Sequence, residues 1–112
     1  MSDETHPIFG KVWRSEFDKR FNTGFSNFEN STLGGVVRIG ERRVDILAVV
    51  AKRDGAGAFR DLIAQCKKEF DRIGVLLVWN PIVESALFRY GFKRGRRGGE
   101  EGMFWRKDNE TQ

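Results

Sequence analysis

Apolar residues in the first third of the chain recur with helical spacing. Trp13, Phe17 and Phe21 lie four residues apart, which predicts a short helix from about Lys11 to Phe21. Residues 1–9 carry no such pattern, so we expect them to form a flexible tail. Residues 26–35 are rich in Asn, Ser and Gly and are expected to form a loop.

Two β-branched runs follow, VVRI and VDILAVVA, joined by Gly40, Glu41 and Arg42. This composition predicts a β-hairpin. The second run, Val44 to Ala51, is the more apolar, and we expect it to be the interior strand.

The second half of the chain predicts two helices and three strands. Apolar residues from Phe59 to Ile73 have helical spacing, and the run GVLLVW after them is typical of a strand buried on both faces. Asn80 and Pro81 suit a helix start, and Gly91 suits its C-terminal cap. The segments FKRG and MFWRK are predicted as strands joined by a flexible basic loop, GRRGGEEG.

These elements define a fold class. A strand, a crossover helix and a second strand form a right-handed unit with parallel strands, whereas hairpins contribute antiparallel pairs. We therefore predict an α/β or α+β fold, a single domain over residues 1–112. It should contain one mixed, mostly antiparallel sheet with helices packed on it.

Composition restricts the function classes. The formal charge is +4, but 20 Lys and Arg are interspersed with 16 Asp and Glu, so an anionic partner is allowed and not demanded. A single cysteine, Cys66, on the apolar stripe of the second helix suits a buried hydrophobe, and the absence of a signal peptide favours the cytoplasm. One Cys and one His are too few for a structural zinc site, and no apolar run is long enough to span a membrane.

The stretch KRDGAGAF, Lys52 to Phe59, lies between the interior strand and the second helix. Alternate glycines at a helix start let backbone N–H groups converge on an anion. The same glycines also suit a plain strand-to-helix turn. No Lys-Ser or Lys-Thr pair follows Gly57 and a third glycine is missing, so this is neither a Walker loop nor a dinucleotide fingerprint.

The stretch resembles the acyl-CoA pyrophosphate loop of the GNAT superfamily of N-acetyltransferases, in which Gln or Arg is followed by two residues, Gly, any residue, and Gly or Ala. Lys52 stands at the first position, with Gly55 and Gly57 at the glycines. Downstream, Asn80 after LLVW and the pair Gly91–Phe92 after ALFRY follow the order of the family. The resemblance extends over roughly residues 36–107.

The resemblance implies a metal-independent enzyme that transfers an acetyl group from acetyl-CoA, or a related acyl-CoA, to an amine. The interior strand would pair with the pantetheine arm and stabilise the oxyanion through a backbone N–H, while the loop would bind the pyrophosphate. The residues that the resemblance assigns to the cofactor are Val49, Val50, Lys52, Arg53, Gly55, Ala56, Gly57, Ala58 and Asn80.

Three departures from the family pattern leave the chemistry open. The tyrosine that protonates the leaving thiolate in the family corresponds here to Leu87, or to Phe88 in a shorter helix, so Tyr90 is a displaced substitute. Asp54 places a carboxylate within the anion loop unless it caps the following helix. The family usually places two helices and additional strands ahead of the strand that carries the loop, and these parts shape the acceptor pocket. Here only about 35 residues precede the first clear strand. The acceptor pocket would then come from a second subunit of a homodimer, be open to a large acceptor such as a protein, or have lost its chemistry.

Other residues provide further hypotheses. Asp45 and Glu41 are candidate proton acceptors for the amine, although Glu41 suits a solvated turn better. His6 falls in the expected tail. The basic cluster Lys93 to Arg97 could bind nucleic acid, hold the 3′-phosphate of CoA or contact an acidic partner, with solvated turn charge as the ordinary explanation.

The alternative to an enzyme is a protein-interaction module that has kept this fold and lost catalysis. Very small chains of this kind occur among phage-encoded proteins, so a phage protein that acts on a host protein is one form of this alternative. Nucleic-acid binding through the basic cluster is the third function considered.

Overall fold

The sheet takes its strands almost in chain order. The computed structural model describes residues 4–52, 56–76, 78 and 80–107. Within them, eight strands and three helices form an α+β architecture with one mixed sheet. The strands are β1 (Glu4–His6), β2 (Gly10–Arg14), β3 (Ser26–Glu29), β4 (Leu33–Ile39), β5 (Arg43–Ala51), β6 (Arg72–Leu76), β7 (Lys93–Arg97) and β8 (Glu100–Arg106), and the helices are α1 (Glu16–Phe21), α2 (Ala56–Glu69) and α3 (Pro81–Arg89).

The strands lie in the order β1-β2-β3-β4-β5-β6-β8-β7, and of the strand pairs described only β5 and β6 are parallel. This confirms the predicted strand–helix–strand unit, in which α2 provides the crossover. The predicted hairpin through Gly40 is also present as β4 and β5, and β5 is an interior strand. Among the described residues, which exclude 77 and 79, pairing of β5 with β6 ends at Ile46 and Val75, although β5 continues to Ala51. The two parallel strands therefore part over the second half of β5.

The main core lies between one face of the sheet and helices α2 and α3. We call this the helix face; its strand residues include Val37, Val44, Ile46, Ile73 and Val75, and Leu62, Ile63, Cys66 and Leu87 from the two helices pack on them. On the opposite face, a smaller cluster contains Phe25, Leu76 and Phe104 with Val36 and Leu47 at its margin.

The N-terminal segment differs from the prediction. Residues 4–6 pair with β2, and Phe9 is 0% exposed within the main core, so residues 4–9 do not form the predicted tail. Residues 1–3 of that prediction lie outside the described residues. The predicted helix from Lys11 is instead strand β2 followed by α1. The change from strand to helix occurs at Ser15, whose Oγ accepts the N–H of Asp18 at 3.0 Å as an N-cap. Of the three residues with four-residue spacing, Trp13 therefore lies on a strand, and Phe17 and Phe21 lie on the following helix.

The expected loop at residues 26–35 also contains regular structure. Its polar residues form a short turn between β3 and β4, in which Asn30 Oδ1 accepts the N–H groups of Thr32 and Leu33 at 3.0 and 2.9 Å. The turn is thus limited to residues 30–32, whereas Ser26 and Asn27 pair within β3 and Gly34 and Gly35 pair within β4.

The basic loop predicted near the C-terminus is reduced to two residues. Gly98 and Gly99 have φ values of 59° and 84°, as a two-residue hairpin turn requires. Strands β7 and β8 therefore extend to the turn, and Arg96 and Arg97 lie on β7.

Helices α2 and α3 agree with the sequence, with shorter bounds for α2. Phe70 and Ile73 lie beyond the end of α2. Asn80 caps α3 as predicted, because its Oδ1 accepts the N–H of Ile82 at 2.8 Å. Cys66 is buried as expected, and burial raises the pKa of its thiol to about 12. Within the described ranges, no helix combines the length and apolar character needed to cross a bilayer.

His6 ties strand β1 to the core through its imidazole ring. The ring stacks on Phe70 with a centroid distance of 6.4 Å, and its Nδ1 accepts the N–H of Ile8 at 3.1 Å. An acceptor Nδ1 must be unprotonated. Burial lowers the pKa of His6 below 6.5, while the charge of Glu69 opposes that shift.

This arrangement predicts a pH dependence of stability. Because the pKa of His6 is lower in the folded protein, the stabilising contribution of the neutral ring is complete above pH 6.5 and is lost as the pH falls below 6.5. We expect urea unfolding to show this decline, and we expect the decline to be smaller in the His6→Gln variant, in which carboxylates such as Glu29 still lose stability as the pH falls. His6 is the only histidine, so an unchanged decline in the variant would contradict its assignment.

Candidate functional site

A cavity of about 420 Å³ lies where β5 and β6 part. Its walls come from both strands, from α2 and from the start of α3. The residues that line it are Leu33, Ile46, Leu47, Ala48, Val49, Ala51, Phe59, Val75, Leu76, Val78, Asn80 and Val83. The volume is within the range of small-molecule sites.

The walls of this cavity are apolar. Of the described residues that line it, only Asn80 has a polar side chain, and its Oδ1 is already committed to capping α3. The remaining polar groups are those of the backbone. Toward β4, residues 48–51 of β5 pair with residues 33–36, but among the described residues no pairing toward β6 extends beyond Ile46. The cavity edge of β5 therefore offers N–H and C=O groups to a ligand.

A β-bulge determines which side chains of β5 enter the cavity. Ile46 pairs with Val37 and Ala48 pairs with Val36, so Leu47 is the extra residue. The bulge shifts the alternation by one residue, because paired residues share a face of the sheet. Val49 consequently contacts the main core on the helix face, whereas Val50 lies on the other face and is 67% exposed.

The predicted cofactor residues of β5 thus divide into two groups. Val49 lines the cavity and Val50 does not. Asn80 also lines the cavity, at the start of α3. The structure therefore brings Val49 and Asn80 together although they are 31 residues apart in sequence.

Lys52 follows β5 directly. Its backbone N–H donates to the Thr32 carbonyl at 2.9 Å, and its Nζ lies 2.9 Å from Glu29 Oε2. The ammonium group of Lys52 lowers the pKa of the Glu29 carboxyl. The side chain of Lys52 is therefore paired across the sheet.

The rest of the predicted anion loop lies partly outside the described residues. This applies to Arg53, Asp54 and Gly55. Ala56, Gly57 and Ala58 form the first turn of α2 and do not belong to the loop itself. The N–H groups of a first helical turn have no partner within the helix, so the start of α2 has donors for an anion.

Neither predicted catalytic residue lies in the cavity. Asp45 is 2% exposed and lies on the face opposite to the helices, where its Oδ2 accepts Arg38 Nη2 at 2.8 Å and Arg43 Nη2 at 3.1 Å. Tyr90 is the C-cap of α3, roughly 10 Å along the helix axis from the cavity residue Val83. The predicted pair is therefore separated, with one member on each face of the sheet.

The positions that correspond to the tyrosine of the family are also not in the cavity. Leu87 is 0% exposed and packs in the main core, while Phe88 is exposed on the surface of α3. Glu41 lies exposed in the turn between β4 and β5, as expected of a solvated charge.

The basic cluster of β7 is partly neutralised within the chain. Arg94 forms an ion pair with Glu84 of α3, and Arg96 forms one with Glu101 of β8. Arg97 lies over the ring of Phe104 at 4.8 Å from its centroid. The described part of the chain contains no group of three His, Cys, Asp or Glu residues placed to bind a metal ion.

Several residues of the site were not singled out by sequence reasoning. Phe59, Val75 and Val83 line the cavity, but apolar residues carry no chemical signal in a sequence. Arg38, the ion-pair partner of Asp45 outside the cavity, was also not singled out. The sequence could have predicted this contact, because a hairpin turn at Gly40 places Arg38 opposite Asp45.

Comparisons with protein-family models, with curated protein sequences and with solved structures found no match for this chain.

Proposed function

We propose that this chain is a small GNAT-like N-acyltransferase that transfers an acetyl group from acetyl-CoA, or from a related acyl-CoA, to an amine. The observation that supports this best is the cavity between the parting ends of β5 and β6. It joins an apolar chamber to an edge of β5 that has no pairing among the described residues, next to the start of α2.

Three parts of an acyl-CoA would contact this site: the pantetheine arm, the acyl thioester and the pyrophosphate. The amides of the pantetheine arm would pair with the free backbone edge of β5 near Val49, as an added strand does. The acyl group and the thioester would lie between Phe59 and Val75. The first turn of α2 would provide N–H donors to the pyrophosphate, and that turn contains no acidic residue.

The proposed reaction is direct transfer. The amine nitrogen attacks the thioester carbonyl carbon, a C–N bond forms, and the C–S bond breaks as the tetrahedral oxyanion collapses. A backbone N–H of β5 would stabilise that oxyanion. The amine gives up one proton and the departing thiolate takes one up. Since the described cavity residues include no acidic or basic side chain, solvent would exchange both protons and turnover would be slow.

The lack of an acid or base among those residues also favours a second function. A domain that has kept the cavity and lost general acid–base catalysis would serve as an interaction module that acts by docking on a partner protein. It would bind its partner without acylating it. Release of free CoA in the presence of a polyamine or a lysine peptide separates the enzyme from the module.

Filling the cavity tests the proposed ligand site. Ala51 lines the cavity and is exposed, so Ala51→Trp would place an indole in the path of the ligand with little cost to the core. We expect titration calorimetry with acetyl-CoA to show at least a tenfold rise in Kd, equivalent to about 1.4 kcal/mol.

The matched control is Val50→Trp, on the adjacent residue and the other face of β5. It should bind acetyl-CoA as the unmodified protein does. A chain that gives no heat with acetyl-CoA, or two tryptophan variants with equal affinity, would refute the proposed site.

A further inference from the structure

The face of the sheet opposite to the helices contains a group of arginines from five strands. Arg43 is the register partner of Arg72, and Arg72 is the register partner of Arg106, so these three stand in a row on β5, β6 and β8. Adjacent strands are about 5 Å apart. Together with Arg38 of β4 and Arg97 of β7, we call this group the arginine face.

Two of these arginines are placed by aromatic rings. The guanidinium of Arg38 lies 4.7 Å from the centroid of Phe25, and that of Arg97 lies 4.8 Å from the centroid of Phe104. Both rings belong to the small apolar cluster of this face. The arginine side chains therefore lie over the apolar cluster, with the charge held near the surface of the sheet.

Among the described residues, the five arginines of this face outnumber the carboxylates that contact them. Asp45 receives hydrogen bonds from both Arg38 and Arg43, and Glu100 lies 2.8 Å from Arg38. At ion-pair distance these two carboxylates contact Arg38 and Arg43, and the charge of Asp45 also opposes the lowering of the pKa of Arg97 by burial. Among the residues that the structure describes, Arg72, Arg97 and Arg106 have no carboxylate within ion-pair distance.

The surroundings of Arg97 are consistent with this excess. Burial lowers the pKa of Arg97, and the neighbouring positive charges of Arg72, Arg43 and Arg106 lower it further. Its Nη1 is buried without a hydrogen-bond partner in the structure. Like charges directly opposite each other on neighbouring strands are destabilising unless something balances them.

The arginine face adjoins the cavity. Leu47 and Leu76 line the cavity and also belong to the apolar cluster under Arg38 and Arg97. The helix-face residues Ile46 and Val75 line it as well. The cavity thus contacts both faces of the sheet at the point where β5 and β6 part, and a group bound on the arginine face lies beside it.

We propose that the arginine face docks an acidic peptide segment, and that a lysine within that segment is the acyl acceptor. The docking is inferred from charge complementarity, and the role as acceptor rests on the proposed function. A row of arginines spread over three strands matches several carboxylates along an extended peptide better than it matches one small anion.

The test measures binding without requiring catalysis. A fluorescent peptide with one lysine flanked by glutamates is compared by anisotropy with its counterpart that has glutamines. We expect the acidic peptide to bind more tightly, and the double variant Arg72→Gln/Arg106→Gln to weaken that binding about tenfold. Both side chains are exposed, so the variant should fold.

The matched control is the double variant Lys68→Gln/Arg89→Gln. It also removes two positive charges, but from exposed residues of α2 and α3 on the other side of the sheet. It should keep its affinity for the acidic peptide. Equal weakening in both double variants, no preference for the acidic peptide, or tighter binding of a single-stranded oligonucleotide would overturn the inference.

Acetyl-CoA titration of the same proteins separates this inference from the proposed function. If the acidic peptide binds and acetyl-CoA does not, the docking surface stands and acyl transfer fails. If acetyl-CoA binds and the acidic peptide does not, only the docking of an acidic acceptor fails.

Discussion

Replacing Gly35 by alanine is expected to lower the free energy of unfolding by about 3 kcal/mol, because the strand has no room for a methyl group there. A Cβ at this position would overlap the carbonyl oxygen of Ala48 and lie 2.8 Å from Cε1 of Phe28. The carbonyl belongs to the backbone of β5 immediately after the bulge at Leu47. Relief would require β5 to move away from β4, so we also expect the affinity for acetyl-CoA to fall.

Gly34 provides the control for this prediction. It is the preceding residue of the same strand, but a Cβ there would meet only the Phe28 carbonyl oxygen at 3.6 Å, an ordinary contact. Gly34→Ala should leave stability unchanged or raise it slightly, since alanine restricts the unfolded chain. Urea denaturation of both variants measures the difference. Equal stability of the two would mean that the bulge does not depend on a glycine at position 35.

Local signals in the sequence were sufficient for part of the fold. The turn at Gly40, the apolar stripe of α2 and the cap at Asn80 each depend on residues within a few positions of one another. For that reason the hairpin, the crossover helix and the parallel pair of strands were all predicted. The mixed sheet follows from their order.

The N-terminal third could not be predicted in the same way. Phe9 is buried because β1 and β2 add to the far edge of a sheet whose other strands come later in the chain. Spacing alone did not separate Trp13, on a strand, from Phe21, on a helix. Strands of three to five residues give too short a pattern to compete with an apparent helical period.

The position of the cavity was predictable in part. The sequence assigned Val49, near the end of β5, and Asn80, at the start of α3, to cofactor binding. Both residues line the cavity. The bulge at Leu47 was not predictable, since it arises from packing between β4 and β5. Without the bulge, strict alternation along β5 would place Val50, and not Val49, on the helix face.

The same alternation decides the role of Asp45. It was a candidate base because it lies near the cavity in sequence, but its side chain is on the arginine face, enclosed between two guanidinium groups. We expect Asp45→Asn to lower the free energy of unfolding by about 3 kcal/mol. The reason is that the substitution leaves the partly buried charges of Arg38 and Arg43 without their shared carboxylate.

Two comparisons distinguish this structural role from a catalytic one. Glu41→Gln removes the other candidate base, which is exposed in a turn, and should change stability by less than about 0.5 kcal/mol. A double-mutant cycle with Arg38→Gln should show coupling to Asp45→Asn, because the two residues are in direct contact. If Asp45→Asn abolished acyl transfer while unfolding in urea stayed unchanged, Asp45 would be a catalytic base, and the arginine face would need a different balance of charge.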